Sequence, residues 1–225
     1  MGLSPTIIED RMKAIRREVP DGVTIVAVSK FQPIESLKSA YNAGQRAFGE
    51  SRVQELLEKI PLMPSDVKWH FIGHLQTNKV KSLIGKTFLI ESVDSLKLLE
   101  LIDKESRGKN VVTDLLLQVH VASEETKFGF SKEEILAFFL SGNYRYLKSV
   151  RICGLMAMAT NTENTDKIHE DFRNAAEIYH EIQRICEDNK DFKILSMGMS
   201  GDWSIAIEEG SNEVRIGSSI FGARY

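Results

Sequence analysis

Lys30 closes the run "TIVAVSK", residues 24–30, an apolar stretch of strand character that ends on an ammonium group. If a strand runs through residue 30, alternation places Thr24, Val26, Val28 and Lys30 on one face. An amine desolvated among such neighbours gives up its proton more easily and becomes a nucleophile toward carbonyl carbon. The plain alternative is a rim lysine that reaches into solvent. Which reading holds depends on what else converges there.

Near the other end, "EVRIGSSIFGARY" holds Arg215 inside a strand-like run, with Gly217 and Ser218 just beyond it, and Ser200 precedes a helix expected from Asp202. Backbone N–H groups past a strand and a hydroxyl before a helix suit an anion. Singly, each residue has an ordinary reading: Ser200 as an N-cap, Gly217 as a turn, Arg215 as one arm of a buried ion pair. Jointly with an amine they compose a site for pyridoxal 5′-phosphate, whose aldehyde needs the amine and whose phosphate needs the N–H groups.

Other motifs carry less. His70 and His74 in "HFIGH" share a strand face at a spacing too long for a metal pair, so no metal site is expected and structural or site-lining roles are preferred. "LIGKT", residues 83–87, imitates the tail of a phosphate loop, but Val80 replaces its first glycine and a strand follows where one should precede. Lys79, Lys81 and Lys86 read as a solvated face, without the aromatic interleaving of an RNA site.

Positioning these groups is the work of repeating elements. Strands are expected at about 23–30, 45–49, 67–73, 87–92, 111–121, 149–157, 192–197 and 213–217, after an opening helix at 4–19. Helical stretches lie between them: Ile34 to Ala43, Ser51 to Ile60, Thr77 to Leu83, Ser95 to Ser106, Lys132 to Leu140, Asn164 to Asn189 and Asp202 to Glu209. Ser51 with Gln54 reads as a capping box, and Gly44 and Gly210 as helix stops. This alternation predicts a single-domain α/β protein spanning 1–225, a (β/α)8 TIM barrel, with a doubly wound sheet as runner-up. In both architectures ligands meet the carboxyl ends of parallel strands, where Lys30 and the C-terminal cup would face each other.

The 225 residues carry a formal charge of −3, which offers no field for nucleic acid or an anionic membrane. Two cysteines, Cys153 and Cys186, make no disulfide framework and read as buried small hydrophobes in a reduced setting. The charged N-terminus lacks a signal-type apolar region, and no apolar run reaches a membrane span, so a soluble cytoplasmic protein is expected.

The segments "VAVSK", "FGESRVQE", "WHFIGHLQTNK", "KFGF", "GLMAMA" and "MGMSGDWSIAIEEGSNEVRIGSSIFGAR" resemble the YggS/PROSC family, the pyridoxal phosphate homeostasis proteins, over nearly the whole chain. The resemblance implies a fold-type III barrel similar to the N-terminal domain of alanine racemase, with the cofactor held as a Schiff base on Lys30. It further implies Arg215 facing the pyridine nitrogen, phosphate on the Gly217 and Ser218 N–H groups, and the Ser200 hydroxyl beside them. One departure is Ser51, where the family usually reads asparagine.

An arginine beside a pyridine nitrogen disfavours its protonation and weakens the ring as an electron sink. A racemase also needs two opposed acid/base groups and a closed site. Lys30 supplies one such group, and the stretch after Gly217 has no room for the closing β domain of alanine racemases. The expectation is therefore a monomeric carrier active in intracellular pyridoxal phosphate homeostasis, delivering to apo enzymes that use the cofactor, without turnover of its own. The alternative is an amino-acid racemase or related enzyme.

Overall fold

Pro5 at the first helical position and the stripe Ile8, Met12 and Ile15 begin the chain as an amphipathic helix, α1 (Pro5–Glu18), in the computed structural model, which describes residues 3–124 and 128–222. Among the described residues the strands are β1 (Thr24–Val28), β2 (Ala47–Glu50), β3 (Lys68–Phe71), β4 (Leu89–Val93), β5 (Thr113–Val119), β6 (Val150–Ala157), β7 (Ile194–Met199) and β8 (Glu213–Ile216). The further helices are α2 (Ile34–Asn42), α3 (Val53–Lys59), α4 (Val80–Leu83), α5 (Leu96–Gly108), α6 (Lys132–Leu140), α7 (Thr165–Ile185), α8 (Trp203–Glu208) and α9 (Ser218–Phe221). Each strand pairs in parallel with the next, and β8 returns to β1 with Thr24 opposite Glu213 and Ala27 opposite Ile216. The result is the expected single-domain (β/α)8 barrel; the doubly wound alternative is excluded by closure.

Several boundaries moved for identifiable reasons. β1 stops at Val28, two residues before Lys30, because the Gln32 N–H turns back onto the Ser29 carbonyl at 3.0 Å. The capping box expected at Ser51 is absent: β2 stays extended, with the Ile72 N–H on the Glu50 carbonyl at 2.9 Å, and α3 starts late with Arg52 as an N-cap that makes no side-chain bond. A true capping box caps α6, where Ser131 Oγ accepts from the Glu134 N–H and the Glu134 carboxylate accepts from the Ser131 N–H. Gly44 and Gly210 do stop α2 and α8, with φ of +91° and +97°. α7 ends at Ile185, four residues before Asn189.

The main core lies between barrel and helices, with Phe48, Phe71, Phe139 and Phe172 among its fully buried side chains. Cys153, in β6, and Cys186, just past α7, are both buried, and burial pushes both thiols up to about 11. No helix among the described residues is long and apolar enough to cross a membrane. Lys127 of "KFGF" and Ala223 and Arg224 of "FGAR" lie outside the described residues.

Candidate functional site

A cavity of about 420 Å³ opens at the carboxyl ends of the strands, lined by Val28, Lys30, Ile72, Met158, Met199, Ser200, Gly201, Arg215, Gly217 and Ser218. All five residues singled out in the sequence for cofactor contact, Lys30, Ser200, Arg215, Gly217 and Ser218, therefore line one space. Lys30 keeps the strand parity that puts it beside Val28, although it sits in a turn past the strand's end. Ser51 does not line this cavity.

Ser200 is not the N-cap of α8; Asp202 holds that position. The Ser200 hydroxyl oxygen instead accepts from the Gly217 N–H at 3.0 Å and from the Ser219 N–H at 3.5 Å. Two backbone donors thus converge on one oxygen at the cavity wall, as they would on an oxygen of an anion. Ser219 was missed in the sequence; its signal is the Gly-Ser-Ser run directly after a strand.

Arg215 is buried yet lines the cavity, and its ordinary reading as one arm of a buried ion pair holds, with Glu91 as the other arm. It donates to the Ser196 carbonyl at 2.8 Å, the Ser196 hydroxyl at 2.6 Å and the Ala157 carbonyl at 2.8 Å, and lies 3.8 Å from the Glu91 carboxylate. Ser196 Oγ also donates to Glu91 at 2.7 Å, and His70 Nδ1 lies 2.8 Å from the other Glu91 oxygen. Contacts between β4 and β7, which are not neighbours in the sheet, run through the barrel's interior. Glu213 completes the group, 3.9 Å from His70, with its Oε1 buried and without a hydrogen-bond partner.

Burial and the Glu91 charge push the Glu213 carboxyl up to about 7, against the pull of His70 and Arg215. For His70, burial favours the neutral ring, but Glu213 and Glu91 outweigh it and hold the imidazole above its ordinary value. Burial likewise disfavours the Glu91 anion, yet His70, Arg215 and Ser196 hold its carboxyl below the ordinary range. His70, Glu91 and Glu213 are also the one group of metal-type ligands that the described residues bring together. The Arg215 guanidinium beside Glu91 already supplies positive charge there. Glu91 and Glu213 carry no motif signal of their own in the sequence, although alternation in "EVRI" does put Glu213 and Arg215 on one face. His74 lies past β3, 2.9 Å from Asp94 and stacked on Phe128, away from this group.

A second network surrounds the Lys30 turn. Phe31 takes a left-handed conformation, φ +64°, which costs a bulky L-residue about 1–2 kcal/mol. Its N–H donates to Glu55 Oε1 at 2.6 Å. Lys59, buried on α3, donates to Glu55 at 2.6 Å, to Glu50 at 2.8 Å and to the Ser29 carbonyl at 2.8 Å. Ser29 Oγ donates to Glu50 at 2.6 Å, and burial raises the Glu50 carboxyl pKa against these bonds.

The donor set fits pyridoxal 5′-phosphate: an amine for an aldehyde, converging N–H and O–H groups for a phosphate, and Val28, Ile72 and Met158 as apolar walls for a ring. The sequence model of the family described as "Alanine racemase, N-terminal domain" matches residues 4–225. A pyridoxal phosphate homeostasis protein of Aquifex aeolicus is 43% identical over 202 residues, covering 89% of this chain and 86% of that protein. PipY of Synechococcus elongatus PCC7942, solved with PLP bound, superposes with a TM-score of 0.87 at 33% identity, covering 96% of this chain and 100% of that one. The alanine racemase of E. faecalis shares the fold at a TM-score of 0.76 and 17% identity, with 99% of this chain and 59% of that one covered.

Proposed function

From the premise that the chain belongs to the alanine racemase N-terminal domain family, and within it to the pyridoxal phosphate homeostasis proteins, we propose that it binds pyridoxal 5′-phosphate at the barrel mouth and holds it on Lys30 as an intracellular store for other proteins. The observation that carries this reading is the cavity that gathers Lys30, Ser200, Arg215, Gly217 and Ser218. When bound, the cofactor supplies an aldehyde for amines and an aromatic electron sink.

The chain's own residues divide the work. Lys30 offers the amine. Ser200, with the Gly217 and Ser219 N–H groups, offers the anion cradle, which charge-assisted hydrogen bonds strengthen. Arg215, fixed by Ser196, Ala157 and Glu91, holds a permanent positive charge at the cavity and so disfavours protonation of a basic ring nitrogen near it. That placement favours storage over carbon-acid chemistry on amino acids. Met199, exposed at the cavity wall, leaves the site open to an incoming amine that competes with Lys30 and releases the cofactor to a recipient enzyme.

Borohydride reduction of cofactor-loaded protein followed by peptide mass analysis is expected to place the adduct on Lys30. An adduct on another lysine would overturn the assignment. Loaded protein incubated with L- and D-amino acids in deuterated water is expected to show no multiple-turnover exchange or inversion at the α-carbon. Turnover abolished in Lys30→Ala would replace the store with an enzyme.

A further inference from the structure

We infer that Glu55 and Lys59 are positioning residues that clamp the turn carrying Lys30 and thereby set how readily its amine bonds to an aldehyde. The inference rests on the Lys30 reading above. Residues 29–32 form one turn, closed by the Gln32 N–H on the Ser29 carbonyl, with Lys30 at its second position and Phe31 at its third. A turn with a left-handed third residue ordinarily takes glycine or asparagine there. Phenylalanine has no such preference, so the conformation must be held from outside.

What holds it is α3. The Glu55 carboxylate takes the Phe31 N–H, and Lys59 bridges Glu55 to the Ser29 carbonyl, so both ends of the Lys30 residue are tied to neighbouring helical turns. Glu55 and Lys59 are four apart on α3 and face the same way. Glu50, at the end of β2, neutralises Lys59 from below and fixes Ser29 through its hydroxyl. The charges therefore act on the backbone of the lysine turn; neither Glu55 nor Lys59 lines the cavity.

The step being prepared is a condensation. The Lys30 nitrogen bonds to the aldehyde carbon, sheds its remaining protons as the double bond forms, and the carbonyl oxygen leaves as water with no change in oxidation state. Its rate depends on the amine being held near the carbon instead of sampling other directions.

The test compares wild type, Glu55→Gln, Lys59→Met, Phe31→Gly and the double variant Phe31→Gly with Glu55→Gln. Pyridoxal 5′-phosphate at limiting concentration is the probe, adduct absorbance gives the rate, and reduction with mass mapping gives the site. Hydrogen exchange across residues 29–33 in cofactor-free protein reads the turn itself, and thermal unfolding checks that each variant folds. Glu55→Gln is expected to slow Lys30 adduct formation at least tenfold and to speed exchange across 29–33, with little change in Tm. Glycine at position 31 adopts the left-handed conformation without cost, so the double variant should return to within threefold of Phe31→Gly alone. A Glu55→Gln rate within twofold of wild type, unchanged exchange at 29–33, or no rescue by glycine would overturn the clamp. If Lys59→Met fails to fold, the Glu55 and Phe31 variants decide. Absence of any Lys30 adduct in wild type would refute the cofactor reading instead, and the exchange data on cofactor-free protein would still judge the clamp.

Discussion

At the scale of single residues, burial alters the behaviour of Glu213, whose carboxyl shares the barrel interior with Glu91 and has one oxygen with no hydrogen-bond partner. Its folded value of about 7 stands above the ordinary 4.5, so the folded state keeps a proton that the unfolded state has lost. Stability from this group is therefore fully present below about pH 4.5 and declines as pH rises toward 7, by at most about 1.4 kcal/mol per pH unit for a full proton. His70, held above its ordinary 6.5, acts in the same sense: its contribution is present below that value and lost as pH rises through the folded one. Glu213→Gln should remove its own part and weaken that of His70, flattening the fall in Tm between pH 5 and 7.5. An unchanged slope would show that the linked protons reside elsewhere. Lys30 and Arg215 were legible in the sequence because Arg215 sits on a strand and Lys30 two residues past one, where parity and strand end are readable. Glu55 and Lys59 were not, because nothing in a helical heptad says which distant turn its polar face will meet.

At the level of elements, the regular parts followed from periodicity and the irregular parts from closure. Between β5 and β6 the register slips: Leu115 faces Ile152, but Leu116 faces Gly154, leaving Cys153 as an extra residue. Gly154 has φ +150°, and a Cβ there would lie 1.8 Å from the Ile194 carbonyl oxygen of β7. Gly154→Ala should cost about 3 kcal/mol or more, since backbone must move to admit it. A denaturation midpoint within error of wild type would show that the bulge relaxes freely. The two serine caps teach the same lesson from opposite sides. Ser51 has the capping-box spacing, yet pairing of β2 with β3 keeps its neighbourhood extended; the bridge of Phe130 to Val119 of β5 ends one residue before Ser131, which caps α6 as its chemistry prefers.

For the whole molecule, the proposed site joins the ends of β7, β8 and β1, strands that are consecutive around the ring but come from the two ends of the chain. A ligand that binds only the folded state stabilises it by about 2.7 kcal/mol at a hundred times its Kd. For a chain of this size that corresponds to a rise in Tm of roughly 5–10 °C. Pyridoxal 5′-phosphate should produce such a rise, pyridoxal without phosphate a much smaller one at equal concentration, and Ser200→Ala should narrow the difference. Equal shifts from the two compounds would show that the cradle of Ser200, Gly217 and Ser219 holds no phosphate.

The sequence by itself determined the alternation of strands and helices, the barrel that alternation implies, and the five residues at the strand ends, because period, strand parity and chain order are local or additive properties. Only the tertiary structure decided that Ser200 accepts from two backbone N–H groups instead of capping α8, that Arg215 is anchored by Glu91 and Ser196, and that α3 clamps the lysine turn. Those contacts join residues 17 to 124 positions apart along the chain. They exist because ring closure brings strands remote in sequence around one interior, where burial makes each unpaired polar group costly enough to select its partner.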